Sequence, residues 1–528
     1  MSDNHHVDAA RQYHSGTKHS YLGLRLHPHK LDWDNKPLLF KIYPTLEVTR
    51  LPRDFEDTRR PALSAIAVGT TSTKDAAVLD LESLAQVLFF SAGVTKSRKH
   101  PQGETFFRAA ACTGALYEIE LYVICTDLRS RIQLSDSAPV LPAGVYHFGA
   151  AEFGLRQLRA GDFRQQIVAA TGDDPSIAHA PVIIVCTGVY WRNAWKYRAR
   201  TYRHFGWDNG TILANFLAIS AAMNLPARIV TGFIDSQVNT LLGLDSKREV
   251  AFSLVSLGHT LSTPSSSPAI ELLVLPTVPY SASEVDYASM RRMHESSSLD
   301  SVKEVTAWRG KAPDNAIPPA KETTTALLPQ QDARLSTDTI EQVISRRGST
   351  RQFSRDPITL AELSTMLDRA TRGIPADFLE PFGSHLNHLY LIVNNVIGLA
   401  PGSYVYHWDE KLLEPLKRGE FREKAGYLGL EQQIPADAAV DVFFLADLKK
   451  ILERYGNRGY RAVQLEAGIL GGKFYLAAYA QKLGCSGLTF YDDDVISFFS
   501  PHARGKNAIF LIALGRSASR IEKSPSRG

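Results

Sequence analysis

The chain is poor in the residues that would mark it as a disulfide scaffold, a metal protein or a membrane protein. Its 528 residues contain four cysteines, Cys112, Cys125, Cys186 and Cys485. They lie far apart, with no CxxC pair and no histidine partner at zinc spacing, which argues against a disulfide framework and a structural zinc site. No stretch approaches the roughly 18 to 20 consecutive apolar residues needed to cross a bilayer, and the N-terminus has no apolar targeting core. The expected compartment is the cytoplasm, with no membrane partner. Charge of one sign is also scarce: 59 Lys and Arg against 55 Asp and Glu give a net charge of +4. The basic groups are scattered apart from short runs such as Lys96-Ser-Arg-Lys-His100, so no nucleic-acid footprint is expected.

What remains is an ordinary globular composition, 44% hydrophobic and 22% charged. The length exceeds what one hydrophobic core usually supports, so two or more domains are expected. The histidines near the start (His5, His6, His14, His19, His27, His29) have irregular spacing and few acidic neighbours, and read as an N-terminal arm rather than a metal site.

The halves of the chain resemble each other. LRQLRAGDFR at 155–164 matches LEPLKRGEFR at 413–422, an offset of 413 − 155 = 258. The same offset sets Gly144 on Gly402, Tyr197 on Tyr455, Tyr202-Arg203 on Tyr460-Arg461 and Gly210 on Gly468. It also aligns NGTILANFLAISAAMNLPARI with AGILGGKFYLAAYAQKLGCSG, each apolar at helical spacing and each ending at a Leu followed by Pro226 or Gly484. A short β-like run and an apolar strand follow in both copies, AFSLVSLG in the first and AIFLIALG in the second. The chain therefore reads as two α+β units: an N-terminal arm over 1–55, a first domain over 56–262, a Ser/Thr/Pro/Ala-rich linker over 263–335 with one helix-compatible stretch, and a second domain over 336–528. A duplicated unit of this kind folds as a covalently tied two-fold dimer, and ligand sites in such dimers often lie at the shared interface.

The copies differ in complementary ways. Before its first long helical pattern, the second copy reads RRGSTRQFSRDPIT, where the first has AIAVGTTSTKDAAVLD. Aligning Leu360 with Leu81 puts Arg347 opposite Val68 and Arg351 opposite Ser72. Two guanidiniums bracketing Ser349, on a backbone loosened by Gly348, suit a phosphate monoester; they equally suit a solvated basic turn. Conversely, only the first copy has the loop around Thr113 and Gly114, which is followed by an expected amphipathic strand and would let backbone N–H groups approach a flat ligand; a plain β-turn would need the same glycine.

RRGSTRQF, RAAACTGALYEIELY, YRAVQLEAGILGGKFYLAAYAQKLG and the opening YHSGTKHSYLGL together resemble the nitroreductase superfamily in tandem form, specifically its SagB/ThcOx-type azoline dehydrogenase branch. That resemblance covers most of the chain. It implies two nitroreductase-like α+β sandwich domains forming an intramolecular pseudo-dimer, with FMN as cofactor. It also implies one complete site per chain and one decayed site. Arg347, Ser349 and Arg351, with Arg516 after the last strand, would hold the phosphate; His259 replaces that arginine in the first copy. Thr113 and Gly114 would contribute from the first copy. The branch's Lys-Tyr pair falls on Lys196 and Tyr197, implied as catalytic, with a base taking a proton while hydride leaves. The expected substrate is a small molecule or modified peptide, a thiazoline or oxazoline becoming an azole. An NAD(P)H-dependent nitro or quinone reductase and a non-catalytic flavin-binding protein are the alternatives. The loop departs from its relatives at Ala111-Cys-Thr-Gly114 and at Glu118, and Cys112 is expected to be a small buried residue.

Overall fold

Two seven-stranded antiparallel sheets flank a central pair of long helices in the computed structural model, which describes residues 3–68, 72–100, 103–131, 141–318, 320, 324–331 and 335–518. The first sheet runs, edge to edge, Thr49–Arg50, Gly154–Ala160, Gly144–Gly149, Ile119–Cys125, Val182–Val189, Glu249–Leu257 and Ala227–Val230. The second runs Thr325–Ala326, Leu412–Arg418, Gly402–His407, Asn387–Val393, Val440–Ala446, Asn507–Gly515 and Gly484–Leu488. Taken in chain order the two sequences of neighbours are identical, so the duplication read from ten-residue matches extends to the whole sheet topology. All seven residues of Ile119–Cys125 are buried, because the strand sits mid-sheet with both faces covered. The amphipathic strand expected there is therefore a fully buried one.

The long helices Thr201–Ala222 and Arg458–Ala480 pack against each other along the molecular centre. Their glycines give up helix propensity of about 1 kcal/mol each relative to alanine, and in return the two backbones come close enough to touch. A Cβ on Gly206 would lie 2.4 Å from Gln464 Cβ, and one on Gly472 would lie 2.5 Å from Ala214 Cβ.

The interface has two-fold character in its charges as well. Arg200 and Arg203 of the first copy hold Asp492 of the second at 3.1 and 2.7 Å. Their counterparts Arg458 and Arg461 hold Asp235 of the first copy at 2.6 and 2.7 Å. Both clusters are almost wholly buried, with two guanidiniums of one copy on one carboxylate of the other in each, so removing either carboxylate would strand buried cations.

The N-terminal arm is part of this core rather than a loose extension. Helix Asp8–Gly16 buries Tyr13 between the counterparts Tyr202 and Tyr460, with ring centroids 5.7 Å away on each side. His14 is buried beside Tyr460. Thr49–Arg50 adds an edge to the first sheet. The linker likewise contains two helices, Ala288–Ser296 and Val302–Trp308, and seats His294 and Ser297 on Arg461. Its composition signalled a connector, but Met290, Met293, Val305 and Trp308 are buried in the core.

Candidate functional site

The loop Ala111–Gly114 connects the hairpin ending at Arg108 to the buried strand Ile119–Cys125. Gly114 takes φ +68, and a Cβ there would meet the Tyr197 hydroxyl at 2.8 Å, so both backbone conformation and space call for glycine. Asp208, on the first long helix, holds the loop. It accepts the Thr113 N–H at 2.9 Å on each oxygen and the Thr113 hydroxyl at 2.9 Å.

This loop forms one wall of a cavity of about 350 Å³, a size suited to a small cofactor. Lys196 and Tyr197 enter from the end of helix Tyr190–Tyr197, and Trp207 and His204 from the long helix. The opposite wall belongs to the second copy: Ser349, Arg351, Tyr475, Phe510 and the edge segment 486–489. Trp207 and Phe510 meet across the join, with centroids 4.9 Å apart. Tyr475 accepts the Gly487 N–H at 2.6 Å and pairs with the Ser349 hydroxyl at 3.1 Å, which ties Ser349 to the second long helix.

The residues expected from sequence are thus brought together in part. Ser349, Arg351, Thr113, Gly114, Lys196 and Tyr197 all line the one cavity, though they come from segments up to 238 residues apart. Arg347 is not on its lining. It reaches into the first copy and donates to the backbone oxygens of Ala109 (3.0 Å) and Arg108 (2.8 Å), so it anchors the approach to the loop. Arg516 turns away to Pro357 O (2.9 Å) and Glu362 (3.1 Å). His259 packs its ring, tilted by 38°, against His179 with centroids 5.3 Å apart. In the first copy, residues 69–71 of the segment aligned with Ser349 lie outside the described residues.

Arg351 and Lys196, one from each copy, carry no carboxylate partner among the described residues. Burial first, and Arg351 second, lower the Lys196 ammonium from its ordinary value. Burial, with the carboxyl of Asp208 next, raises the Tyr197 phenol, so that hydroxyl stays protonated. Cys112 is more than a small filler: its thiol donates to Asp208 (3.3 Å) and Glu118 (3.4 Å), and burial pushes it up.

The two-fold counterpart of the cavity is filled by the chain itself. The edge segment matching 486–489 is 228–231, and there Ile229 N–H donates to Pro375 O at 2.8 Å while Asp377 N–H donates to Ile229 O at 3.1 Å. The Asp377 carboxylate takes the N–H groups of Thr231 (3.0 Å) and Gly232 (2.7 Å). Tyr455, the counterpart of Tyr197, donates to Phe378 O and is covered by Trp308 of the linker at 5.1 Å.

Sequence reading missed Asp208, Trp207, His19, Tyr475 and Phe510. Only Asp208 left a trace there: the single acid in its helix, with another acid, Glu466, at its counterpart position.

A sequence profile described as the Nitroreductase family matches residues 74–259 and 344–516. The fold is similar to the crystal structure of a candidate nitroreductase from Anabaena variabilis, with TM-score 0.77 and 24% identity, covering 97% of this chain and 99% of that one. A candidate nitroreductase of Methanocaldococcus jannaschii is 26% identical over 165 residues, which span 30% of this chain and 81% of that protein. Among the described residues no helix is long and apolar enough to cross a membrane.

Proposed function

Since the chain belongs to the nitroreductase family, whose members are oxidoreductases that commonly use flavin, we propose that it is an FMN-dependent dehydrogenase of the SagB type with one flavin per chain. The observation that carries this is the convergence of two carboxylate-free cations from opposite copies, Arg351 and Lys196, on a cavity that also holds Ser349. A phosphate monoester supplies the anion that Arg351 lacks, guanidinium with hydroxyl is a fitting donor set for it, and Lys196 is left as the group that can give up its proton. The aromatic wall of Trp207 and Phe510 and the glycine loop suit a flat heteroaromatic ring. The filled counterpart position, with Pro375, Asp377 and Trp308 in place, supports a single site.

The flavin supplies hydride acceptance when bound. The chain's own residues bind, orient and move protons. Arg351 and Ser349 hold the phosphate, while Arg347 fixes the backbone at Arg108 and Ala109 that leads into the loop. Asp208 holds Thr113 and Gly114 at the approach distance. Lys196, with its ammonium lowered by burial and Arg351, takes a proton from the substrate carbon as hydride leaves. Tyr197 stays protonated and donates a hydrogen bond into the cavity. The substrate is a thiazoline or oxazoline in a modified peptide, or a similar C–N or C–C bond.

The test is a visible spectrum of the purified protein with flavin counted per chain, then turnover of azoline peptides with and without Lys196→Ala. One flavin per chain and loss of turnover with flavin retained are expected. Two tightly bound flavins, a colourless protein, or rapid bleaching by NADPH with no azoline oxidation would each replace this reading, the last by a nitro or quinone reductase.

A further inference from the structure

Under the loop that closes the cavity, two carboxyls and a thiol meet. The Asp208 and Glu118 oxygens and the Cys112 sulfur all lie within 4.8 Å of one another. Glu118 is fully buried and Asp208 only 4% exposed. The two carboxyls stand within 4.8 Å of each other, with no cation paired to either among the described residues, and two buried like charges at that range do not both ionise, so one of them carries a proton. The other donors are accounted for: Thr113 gives its N–H and hydroxyl to Asp208, and Cys112 gives its thiol to both acids while accepting the Tyr117 N–H at 3.0 Å. Glu118 Oε1 is left buried with no partner among the described residues, a position where a charged oxygen loses its hydration and gains nothing.

The remaining titratable groups around the pair are few. Tyr197 comes from the neighbouring helix, His204 lies one turn earlier on the helix of Asp208, and Arg108 precedes the loop. Lys196 and Arg351 line the same cavity, where the proposed phosphate would engage Arg351. Burial first, and Glu118 second, push the Asp208 carboxyl well above the usual carboxylate range.

We propose that Asp208 and Glu118 hold one proton between them, and that the pair takes up a second from solvent when a ligand in the cavity is reduced by a hydride-donating substrate, so that Asp208 couples proton uptake to the redox step. Asp208 is then a positioning residue that also acts electrostatically, since it holds Thr113 against the ligand and adjusts its own charge to that of the ligand. The balance is simple. Two electrons enter the ligand as hydride, one proton joins the remaining carboxylate, and no covalent bond to the protein forms. The coupling rests on the flavin reading; the shared proton does not.

Two measurements separate them. In protein without cofactor, infrared difference spectra at neutral pH should show one protonated carboxyl lost in Asp208→Asn, the same one lost in Glu118→Gln, and no more than one lost in the double variant. The amides keep the shape of the side chains and an acceptor oxygen, so a merely structural role predicts no such pattern. Unchanged spectra, two carboxyls lost in the double variant, or one divalent metal ion bound per chain at Cys112, Glu118 and Asp208 would overturn the shared proton. In flavin-loaded protein, the two-electron potential should fall with pH more steeply in the wild type than in either variant, by up to about 30 mV per pH unit, the tenfold equivalent for one extra proton per two electrons. Equal slopes with flavin bound would overturn the coupling. Failure to bind flavin at all would overturn the coupling with the functional reading, and leave the infrared result to decide the proton.

Discussion

Gly210 lies against Gly468, its own counterpart 258 residues later. A Cβ on Gly210 would stand 2.4 Å from the Gly468 carbonyl carbon and 2.4 Å from Ile469 N, and one on Gly468 would stand 2.5 Å from the oxygens of Gly206 and Trp207. A residue touches its own copy only on a two-fold axis, so this contact marks where the halves turn about each other and where the cavity walls are brought face to face.

Gly210→Ala should therefore destabilise the protein by at least the ~1–3 kcal/mol usual for overpacking, because backbone and not a movable side chain is in the way. Gly16→Ala, where nothing lies within 4 Å, should leave the denaturation midpoint unchanged. Equal midpoints for the two variants would refute the axial contact.

The Asp235 and Asp492 clusters predict a specific acid lability. Burial raises each carboxyl, but the paired arginines outweigh it: Asp235 is held at about 2, and Asp492 lies below the usual carboxylate range. A depressed carboxyl stabilises the fold above its unfolded value near 4 and loses that contribution as pH falls toward the folded value. Stability measured by denaturant titration should thus drop between pH 4 and 2. Asp492→Asn at pH 7 should cost about 3–5 kcal/mol, since it strands Arg200 and Arg203, and should flatten the acid limb.

Arg347 and Arg351 should separate cleanly. Arg351→Ala, an exposed side chain without a carboxylate partner among the described residues, is expected to weaken FMN binding about tenfold or more while the cofactor-free melting point stays put. Arg347→Ala takes the guanidinium from the Arg108 oxygen and leaves the Ala109 oxygen to Asn215 alone, and should lower stability by about 1–3 kcal/mol even without cofactor. Calorimetric binding and thermal melts on the two variants decide it; the reverse pattern would mean that Arg347 is the phosphate ligand.

Gly114→Ala should impair ligand binding through two separable effects, strain at φ +68 and collision with Tyr197. Tyr197→Phe removes the hydroxyl at 2.8 Å but leaves the ring edge at 3.0 Å and the backbone strain. The double variant is expected to recover part of the lost affinity, and complete recovery or none would assign the whole defect to one cause.

The duplication, its offset and the complementary losses around Arg351 and Gly114 were legible in the sequence, because each is a pattern within a short segment. Arg347 and Arg516 show the limit of such reading. Both carry the right group at a plausible distance along the chain, yet one donates to backbone oxygens across the interface and the other to Glu362. The long-range partners that decide between a ligand and an anchor are set by packing, which no local spacing records. The same holds for Tyr13, whose place between Tyr202 and Tyr460 depends on two segments 258 residues apart meeting at one point.

By itself, then, the chain of residues determined that there are two copies of one α+β unit and which copy kept the cationic segment and which the glycine loop, since periodicity and residue chemistry are local properties. Only the tertiary structure decided that a single cavity unites them, that Pro375, Asp377 and Trp308 fill its counterpart, and that Asp208 and Glu118 share a buried site. Those outcomes follow from close packing across the two-fold axis, where exclusion of water gives each buried charge and each unpaired polar atom an energetic weight that it does not have along an extended chain.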